Sequence, residues 1–563
     1  MSEVTPSVHP DLARHQASME PRIYTLDGSI HCAFGYSVVN CTLIEGAESC
    51  ILVDTMTGMD NAETVAAEFR KITDKPIRTI VYTHFHADHV SGAAAFVSPD
   101  DVAAGRVEIV AQKDLVRHVA RDVGLIAPIL GRRAMYQFGM RLPIGETGTV
   151  GAGLGPPQRP GRRSFIAPTV TFDETYSGET GGVRFEIHLI PSETEDQCAV
   201  WLPDARVLLS ADAVYESFPN VYALRGTRFR DPMAWARGLD RLKAFGAEIL
   251  VPHHGRPVEG ANRIADLLTD YRDAVQYLHD QTLRYINKGY APDEIAEIVA
   301  MPARLRDHPW LGEYYGSYKH AIPAIYAGYL GWYQGDPVAL DPTPRAERAS
   351  RFVAMMGGRE TLLRHARDAL DAGDAQWAAE LLTLAVRADR SDDEARRLKA
   401  EALRRWAYAQ KNATWRNWGL TAALELEGAL DLAAGGMVLG TPEQVRGFPL
   451  AAILNVMTVR LISETCWETH LRVAFETTDS GESCALEIRR GVCQFHETPP
   501  PECDATARFD RGFLLDWVFG RTTFEEAIAA ERVSVEGDAG AVAEFLAKFE
   551  PFNQANELAI AAR

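Results

Sequence analysis

The run Thr-Ile-Val-Tyr-Thr-His-Phe-His-Ala-Asp-His-Val-Ser-Gly, residues 79–92, constrains this 563-residue chain more than any other feature. An apolar strand ends at Tyr82, and three histidines and an aspartate follow within a tight turn before a small-residue helix. His84 and His86, two apart on extended backbone, can face the same side and hold one ion. Asp88 and His89 come round the turn and can face a second. Carboxylate and neutral imidazole together suit Zn²⁺ or a similar divalent metal. Such a cluster rarely arises as core filling.

The rest of the chain divides in three. From about 20 to 257 short β-branched runs (77–82, 183–190, 207–212, 248–252) alternate with helical stretches, an α/β pattern. In Asp-Pro-Met-Ala-Trp-Ala-Arg, Asp231 is placed as N-cap and Pro232 in the first turn, with Leu239, Leu242 and Phe245 at helical spacing. The Gly/Pro/Arg-rich stretch 149–164 reads as a long loop, of the kind that carries function or moves. From about 260 to 425 the pattern is almost wholly helical, beginning with a long amphipathic segment that stops at Gly289. Its later helices have a tetratricopeptide-like placement of Trp, Ala and Leu. From about 430 onward the chain reads as a small α+β domain, with 454–478 and 483–497 alternating like strands and 513–519 and 539–549 helical. The expected units are 1–258, catalytic; 259–425, helical; and 426–563, C-terminal.

A formal net charge of -19 opposes binding to nucleic-acid backbones and to anionic lipid. No apolar run reaches the roughly 18 residues of a membrane span, and the start resembles no secretory signal. Eight scattered cysteines without a C-x-x-C pair read as small buried hydrophobes. A cytoplasmic location is expected.

The spacing His-x-His-x-Asp-His after a strand resembles the metallo-β-lactamase superfamily, which implies an αββα sandwich and further ligands at three later strand ends. Where that superfamily usually has His, this chain has Glu193, with Glu195 as competitor. Asp212, in Leu-Leu-Ser-Ala-Asp, would bridge both ions. His253 or His254 would complete the second, and the choice stays open.

Glu193 in place of His, the three-part organisation, and the blocks 77–92, 219–235 and 277–289 are similar to the metal-dependent alkyl sulfatases. That resemblance implies two Zn²⁺ per chain, an all-helical dimerisation domain giving a homodimer, and a C-terminal domain like sterol carrier proteins. It further implies that Asp88 and Asp212 serve catalysis with a metal-held hydroxide as nucleophile. Arg225 and Arg230 follow Asp212 on an irregular segment, and guanidinium forks suit a tetrahedral oxyanion. Pairing with Asp231 or Glu216 is their alternative. Asn220 and Tyr222 are weaker candidates for substrate contact. In the C-terminal domain, Leu450, Ile453, Leu454, Leu461, Phe513, Leu514, Leu515, Trp517 and Phe519 could line an apolar tunnel or form a plain core.

One departure stands out: Pro219 occupies the place where these enzymes typically have a histidine, so an acid role there is absent or moved. The reading is a zinc-dependent hydrolase of alkyl sulfate esters. Its alternatives are another anionic or polar ester on the same site (phosphoester, thioester, lactone) and a non-catalytic lipid-binding dimer.

Overall fold

The structure is a computed structural model that describes residues 7–431, 442–550 and 558–559. Two sheets form its N-terminal part. The first has seven strands in chain order: Arg22–Leu26, Ile30–Phe34, Cys41–Glu45, Cys50–Val53, Ile77–Val81, Glu108–Gln112 and Val170–Phe172. Its first three pairings are antiparallel and its last three parallel. The second runs Val258–Glu259, Ile249–His254, Val207–Tyr215, Cys198–Leu202, Val183–Leu189 and Thr175–Thr180.

Strands buried on both faces explain the near-continuous apolar runs in the sequence. Between the sheets Ile51, Val53, Val81 and Val110 meet Phe185, Ile187, Val200 and Leu209. Outside the first sheet, Val65 and Phe69 of the helix Met59–Arg70 pack on Leu52 and Ile80. Outside the second, Trp235, Leu239 and Leu242 of the helix Pro232–Ala244 pack on Leu208 and Leu250. The expected four-layer αββα sandwich is therefore present. Asp231 caps the last-named helix, accepting from the Met233 amide at 2.8 Å.

The helix Ala261–Ile286 buries Leu268, Tyr271 and Leu278 in that same outer core, so the helical region begins fused to the sandwich. It stops before Gly289, whose φ of 85° suits glycine. Five later helices, Arg345–Met355, Arg359–Asp371, Ala375–Ala388, Asp393–Tyr408 and Ala413–Leu426, stack in succession. The last is buried on most faces and packs on the helix Ala127–Gln137 of the N-terminal part. No helix among the described residues is long and apolar enough to cross a membrane.

The C-terminal part is a five-stranded sheet in the order Val492–His496, Ser483–Arg489, His470–Thr477, Ala505–Phe509, Val533–Gly537, backed by helices. Here one sequence expectation fails. Residues 454–469 are not strand: the helix Leu450–Asn455 and short 3-10 turns fill the segment, and the strand begins only at His470. Leu450 and Leu454, one turn apart, both enter the core, a tertiary gain that outweighs the β-branched local composition. Leu450, Leu454, Phe513 and Leu514 pack with Phe475, Phe509 and Phe545 as core.

Candidate active site and metal centre

The strand Ile77–Val81 lies between two parallel neighbours, and the chain leaves it through Thr83 into the short helix Ala87–Val90. Gly92 closes the turn where no side chain fits, because a Cβ would lie 2.1 Å from the Thr55 carbonyl oxygen. This forces the four residues of the motif toward the ends of the second sheet, where Asp212 and His254 arrive from adjacent strands. Non-glycine residues here hold left-handed backbone, among them Ala211 (φ 49°), beside Asp212, and Asp54 (φ 60°). Such strain, about 1–3 kcal/mol per residue, clusters at functional sites.

His84, His86 and Asp212 gather as one group, and Asp88, His89 and His254 as a second. Asp212 Oδ2 lies 3.6 Å from His84 Nε2, 3.5 Å from His89 Nε2 and 3.1 Å from His254 Nε2, so it faces both. Asp88 Oδ2 lies 3.7 Å from His89 Nε2 and 3.5 Å from His254 Nε2. Two donors each about 2.0–2.1 Å from a tetrahedral ion sit about 3.3 Å apart. The observed separations match that spacing. His89 Nε2 and Asp212 Oδ1 are also buried without a hydrogen-bond partner, a costly state for polar atoms that a cation relieves. The donor set therefore fits a metal centre.

Protonation follows from the surroundings. Burial holds His84 and His86 well below the imidazole range, which keeps their lone pairs free. Burial opposes ionisation of Asp212, but His254, His89 and His84 outweigh it and hold the carboxyl well below its usual range. Burial likewise opposes the charged form of His254, yet Asp212 and Asp88 push it up to about 9. The acidic groups thus favour cationic partners, and a metal binding here displaces protons.

Of the two histidines that sequence leaves open, His254 turns Nε2 toward Asp88 and Asp212, whereas His253 turns Nδ1 onto Asp54 at 2.5 Å. Glu193 lines the cavity beside the cluster, while the Glu195 side chain is 66% exposed. Asp54 is the residue that sequence reading missed. Fully buried, it accepts from the Thr83 amide and hydroxyl, each at 2.8 Å, and lies 2.5 Å from His89 Nδ1. The available signal was a carboxylate ending the otherwise apolar strand Cys50–Val53.

The two arginines occupy different places. Arg225 lines the cavity, its Nη2 3.2 Å from His86 Nε2 and its amide donating to Gln137 Oε1 at 2.7 Å. Arg230 sits behind Glu193, with Nη1 2.5 Å from Glu193 Oε1 and 2.5 Å from the Asn220 carbonyl oxygen. Neither pairs on the surface with Glu216, which is held by Arg256. Asn220 therefore contributes a carbonyl to Arg230, and the Tyr222 ring packs 6.4 Å from His320. Neither is among the described residues lining the cavity.

That cavity, of about 90 Å³, is polar at one end, with His86, Asp88, Glu193, Asp212, Arg225 and His254. Leu130, Phe138, Met140, Leu154, Phe165 and Phe448 make its other walls apolar. The stretch 149–164 expected as a loop is irregular and supplies Ala152, Leu154, Gln158 and Arg163 to the wall. Phe448, from the start of the C-terminal part, stacks 5.1 Å from Phe165.

Residues 35–254 match the metallo-beta-lactamase superfamily, 291–429 the alkyl sulfatase dimerisation domain and 438–558 the alkyl sulfatase C-terminal domain. The chain is 42% identical over 520 residues to a linear primary-alkylsulfatase of a Pseudomonas species, covering 90% of this chain and 98% of that protein. It belongs to the alkyl sulfatase family. The family chain is also 31% identical to an alkyl/aryl-sulfatase of Saccharomyces cerevisiae, over 97% of its own length and 85% of the relative's. It is 30% identical to an (R)-specific secondary-alkylsulfatase of a Pseudomonas species, over 97% and 84% of the two chains. Among solved structures, a stereoselective inverting sec-alkylsulfatase from Pseudomonas superposes with a TM-score of 0.93 at 28% identity, covering 98% of this chain and 88% of that one. Membership of this family makes the protein an enzyme with a metal-dependent hydrolase fold.

Proposed function

We propose that this enzyme hydrolyses linear alkyl sulfate esters to an alcohol and inorganic sulfate at a site holding two zinc ions. The observation that carries the reading is one cavity joining a doubly faced carboxylate, Asp212, to a half-buried guanidinium, Arg225, and an apolar wall. His84, His86, Glu193 and Asp212 would hold one ion, and Asp88, His89, Asp212 and His254 the other. Nitrogen and carboxylate oxygen donors of this kind suit zinc. When bound, such ions supply Lewis acidity and lower the pKa of water.

The chain's own residues do the rest. Arg225, half-buried and planar, offers paired donors to the sulfate group. Leu130, Phe138, Met140 and Phe165 take the alkyl chain and exclude water from the polar end. Arg230 contributes through Glu193: burial raises that carboxyl's pKa, and the adjacent guanidinium opposes the rise. Pro219 offers no proton, and a sulfate leaving as a stable anion requires little help.

Exposed Tyr329, Leu330, Trp332, Val338 and Leu340 crowd one stretch of the helical region, an apolar area larger than single scattered residues explain. We assign it to the homodimer that a dimerisation domain implies. The eight cysteines are all unpaired, as a reducing compartment keeps them, and a cytoplasmic location belongs to the same proposal.

The test is sulfate release from a panel of primary and secondary alkyl sulfates, with an Asp88→Ala, His89→Ala double variant as control. Release by the wild type that the double variant loses is expected, strongest with primary esters. A metal-replete wild type that releases no sulfate from any member overturns the proposal.

A further inference from the structure

Residues 216–230 form neither helix nor strand, so their backbone groups have no ladder to join and need other partners. Arg225 lies in this stretch, and its aim depends on what holds it. Its amide donates to Gln137 Oε1 at 2.7 Å. Its carbonyl accepts from Arg133 Nε at 2.7 Å, and the Leu224 carbonyl accepts from Arg133 Nη2 at 2.6 Å. Arg133 and Gln137 stand one turn apart on the helix Ala127–Gln137, and so share a face. That face therefore grips one amide and two successive carbonyls, which fixes both the position and the direction of the chain at 225. Gly226 continues the segment at φ 118°, and Arg225 Nη1 donates to its carbonyl at 3.2 Å. The Arg225 guanidinium is thus tied to a backbone that Arg133 holds.

Arg133 is itself clamped. Its guanidinium carbon lies 5.3 Å above the Trp418 ring, and the same ring packs 5.4 Å from that of Tyr136. A guanidinium stacked on an indole keeps its edge donors available, so Trp418 sets the plane of the fork without competing for it. Asn417, beside Trp418 and fully buried, donates Nδ2 to the Gln137 carbonyl at 3.3 Å. Both residues belong to the helix Ala413–Leu426, in the stretch matched by the dimerisation domain. Leu130 and Ala134 of the gripped helix line the cavity, but Arg133 is not among the described residues that do. Whatever Arg133 contributes to the cavity passes through the segment it holds.

We propose that Arg133 is a positioning residue for Arg225: clamped by Trp418, it fixes the backbone that aims the Arg225 guanidinium at the substrate. The helical region thereby sets the geometry of sulfate binding without touching the substrate. Arg133 exchanges no proton and meets no reacting atom. Its planar fork is what the role requires, because a lysine in its place offers a point charge and cannot span two carbonyls. This rests on the alkyl sulfate reading above, in which Arg225 holds the head group.

The experiment is a double-mutant cycle on the full-length, metal-replete protein: wild type, Arg133→Met, Arg225→Met and the two combined. Each is assayed for octyl sulfate turnover and for calorimetric binding of octyl sulfonate, which keeps the three terminal oxygens and lacks the ester bond. Arg133→Met should weaken sulfonate binding and raise KM by about threefold to tenfold, the order of one hydrogen bond, with kcat less affected. Arg133→Lys should fall between Arg133→Met and wild type. Added to Arg225→Met, the Arg133→Met change should cost less than about twofold further, because the group it aims is gone. A merely structural role would instead show its full loss in both backgrounds, and that result overturns the proposal. So does wild-type sulfonate binding in Arg133→Met. If Arg133→Met does not fold, Arg133→Lys in the same two backgrounds decides the question. Absence of turnover in the wild type would defeat the alkyl sulfate reading, while the sulfonate cycle still reports on Arg133.

Discussion

Asp54 Oδ2 lies 2.5 Å from Nδ1 of His89, which leaves Nε2 of the same ring facing Asp88 and Asp212. The carboxylate fixes both the tautomer and the angle of a proposed metal ligand, and it does the same for His253 from the other side. Asp54→Asn keeps the shape but offers a donor where two imidazoles need an acceptor. Loss of such an outer partner typically costs 10–100-fold in metal affinity. A shift of that size in competitive chelator titration is expected, with a helical circular-dichroism spectrum unchanged.

Glu193 and Arg230 form a buried pair, both under a tenth exposed. Removing the cation strands the carboxylate in a medium that already raises its pKa. Arg230→Met should therefore destabilise the fold by about 3–5 kcal/mol, read by urea denaturation of the metal-free chain. It should also make metal uptake more sensitive to acid, because Glu193 then releases its proton less readily. Arg225→Met, by contrast, should leave stability closer to wild type and raise KM.

In the C-terminal sheet, Glu487 accepts from Arg472 Nη2 at 3.1 Å, His470 Nε2 at 3.1 Å and His496 Nε2 at 3.0 Å. Burial pushes its carboxyl up, but these partners outweigh that and hold it down to about 2. An unfolded glutamate titrates near about 4.3. The folded state thus binds this proton less readily, so the contribution of Glu487 is complete above about pH 4.3 and disappears as pH falls toward 2. Glu487→Gln should be less stable than wild type at neutral pH, and denaturation at stepped pH should show the two converging across that window.

The apolar stretch around Trp332 predicts its own test. Trp332→Asp with Leu340→Asp places charge where a second copy is proposed to dock, and light scattering should then give the monomer mass. Both residues are more than half exposed in the single chain, so folding of the monomer should survive.

How much of this was legible in the sequence depends on locality. His84, His86, Asp88 and His89 share one turn, so their spacing alone exposes the chemistry. Asp212 and the pair His253–His254 could be placed because each follows an apolar run in the order a known family prescribes, while the choice between the two histidines needed the structure. Asp54 belongs to the same centre but is one acidic residue after a short strand, with nothing nearby to single it out. Tyr315, a further residue of the cavity wall, is harder still, since Gly316 beside it presses that segment against the distant Phe218 and Pro219. Arg225 and Arg230 looked equivalent, five residues apart on an irregular segment. Their separation into a cavity residue and a partner of Glu193 is a tertiary fact. In the C-terminal part, β-branched residues at 456–462 suggested strand, but the burial of Leu450 and Leu454 on one helical face decided otherwise.

The central claim is that two ions held around Asp212 drive sulfate ester hydrolysis. Chelator-stripped protein titrated with zinc, with sulfate release from octyl sulfate followed at each addition, tests it most directly. The account predicts no release without metal and activity that rises until about two ions are bound per chain. Full activity in the stripped protein, or no release at two ions per chain, would contradict it.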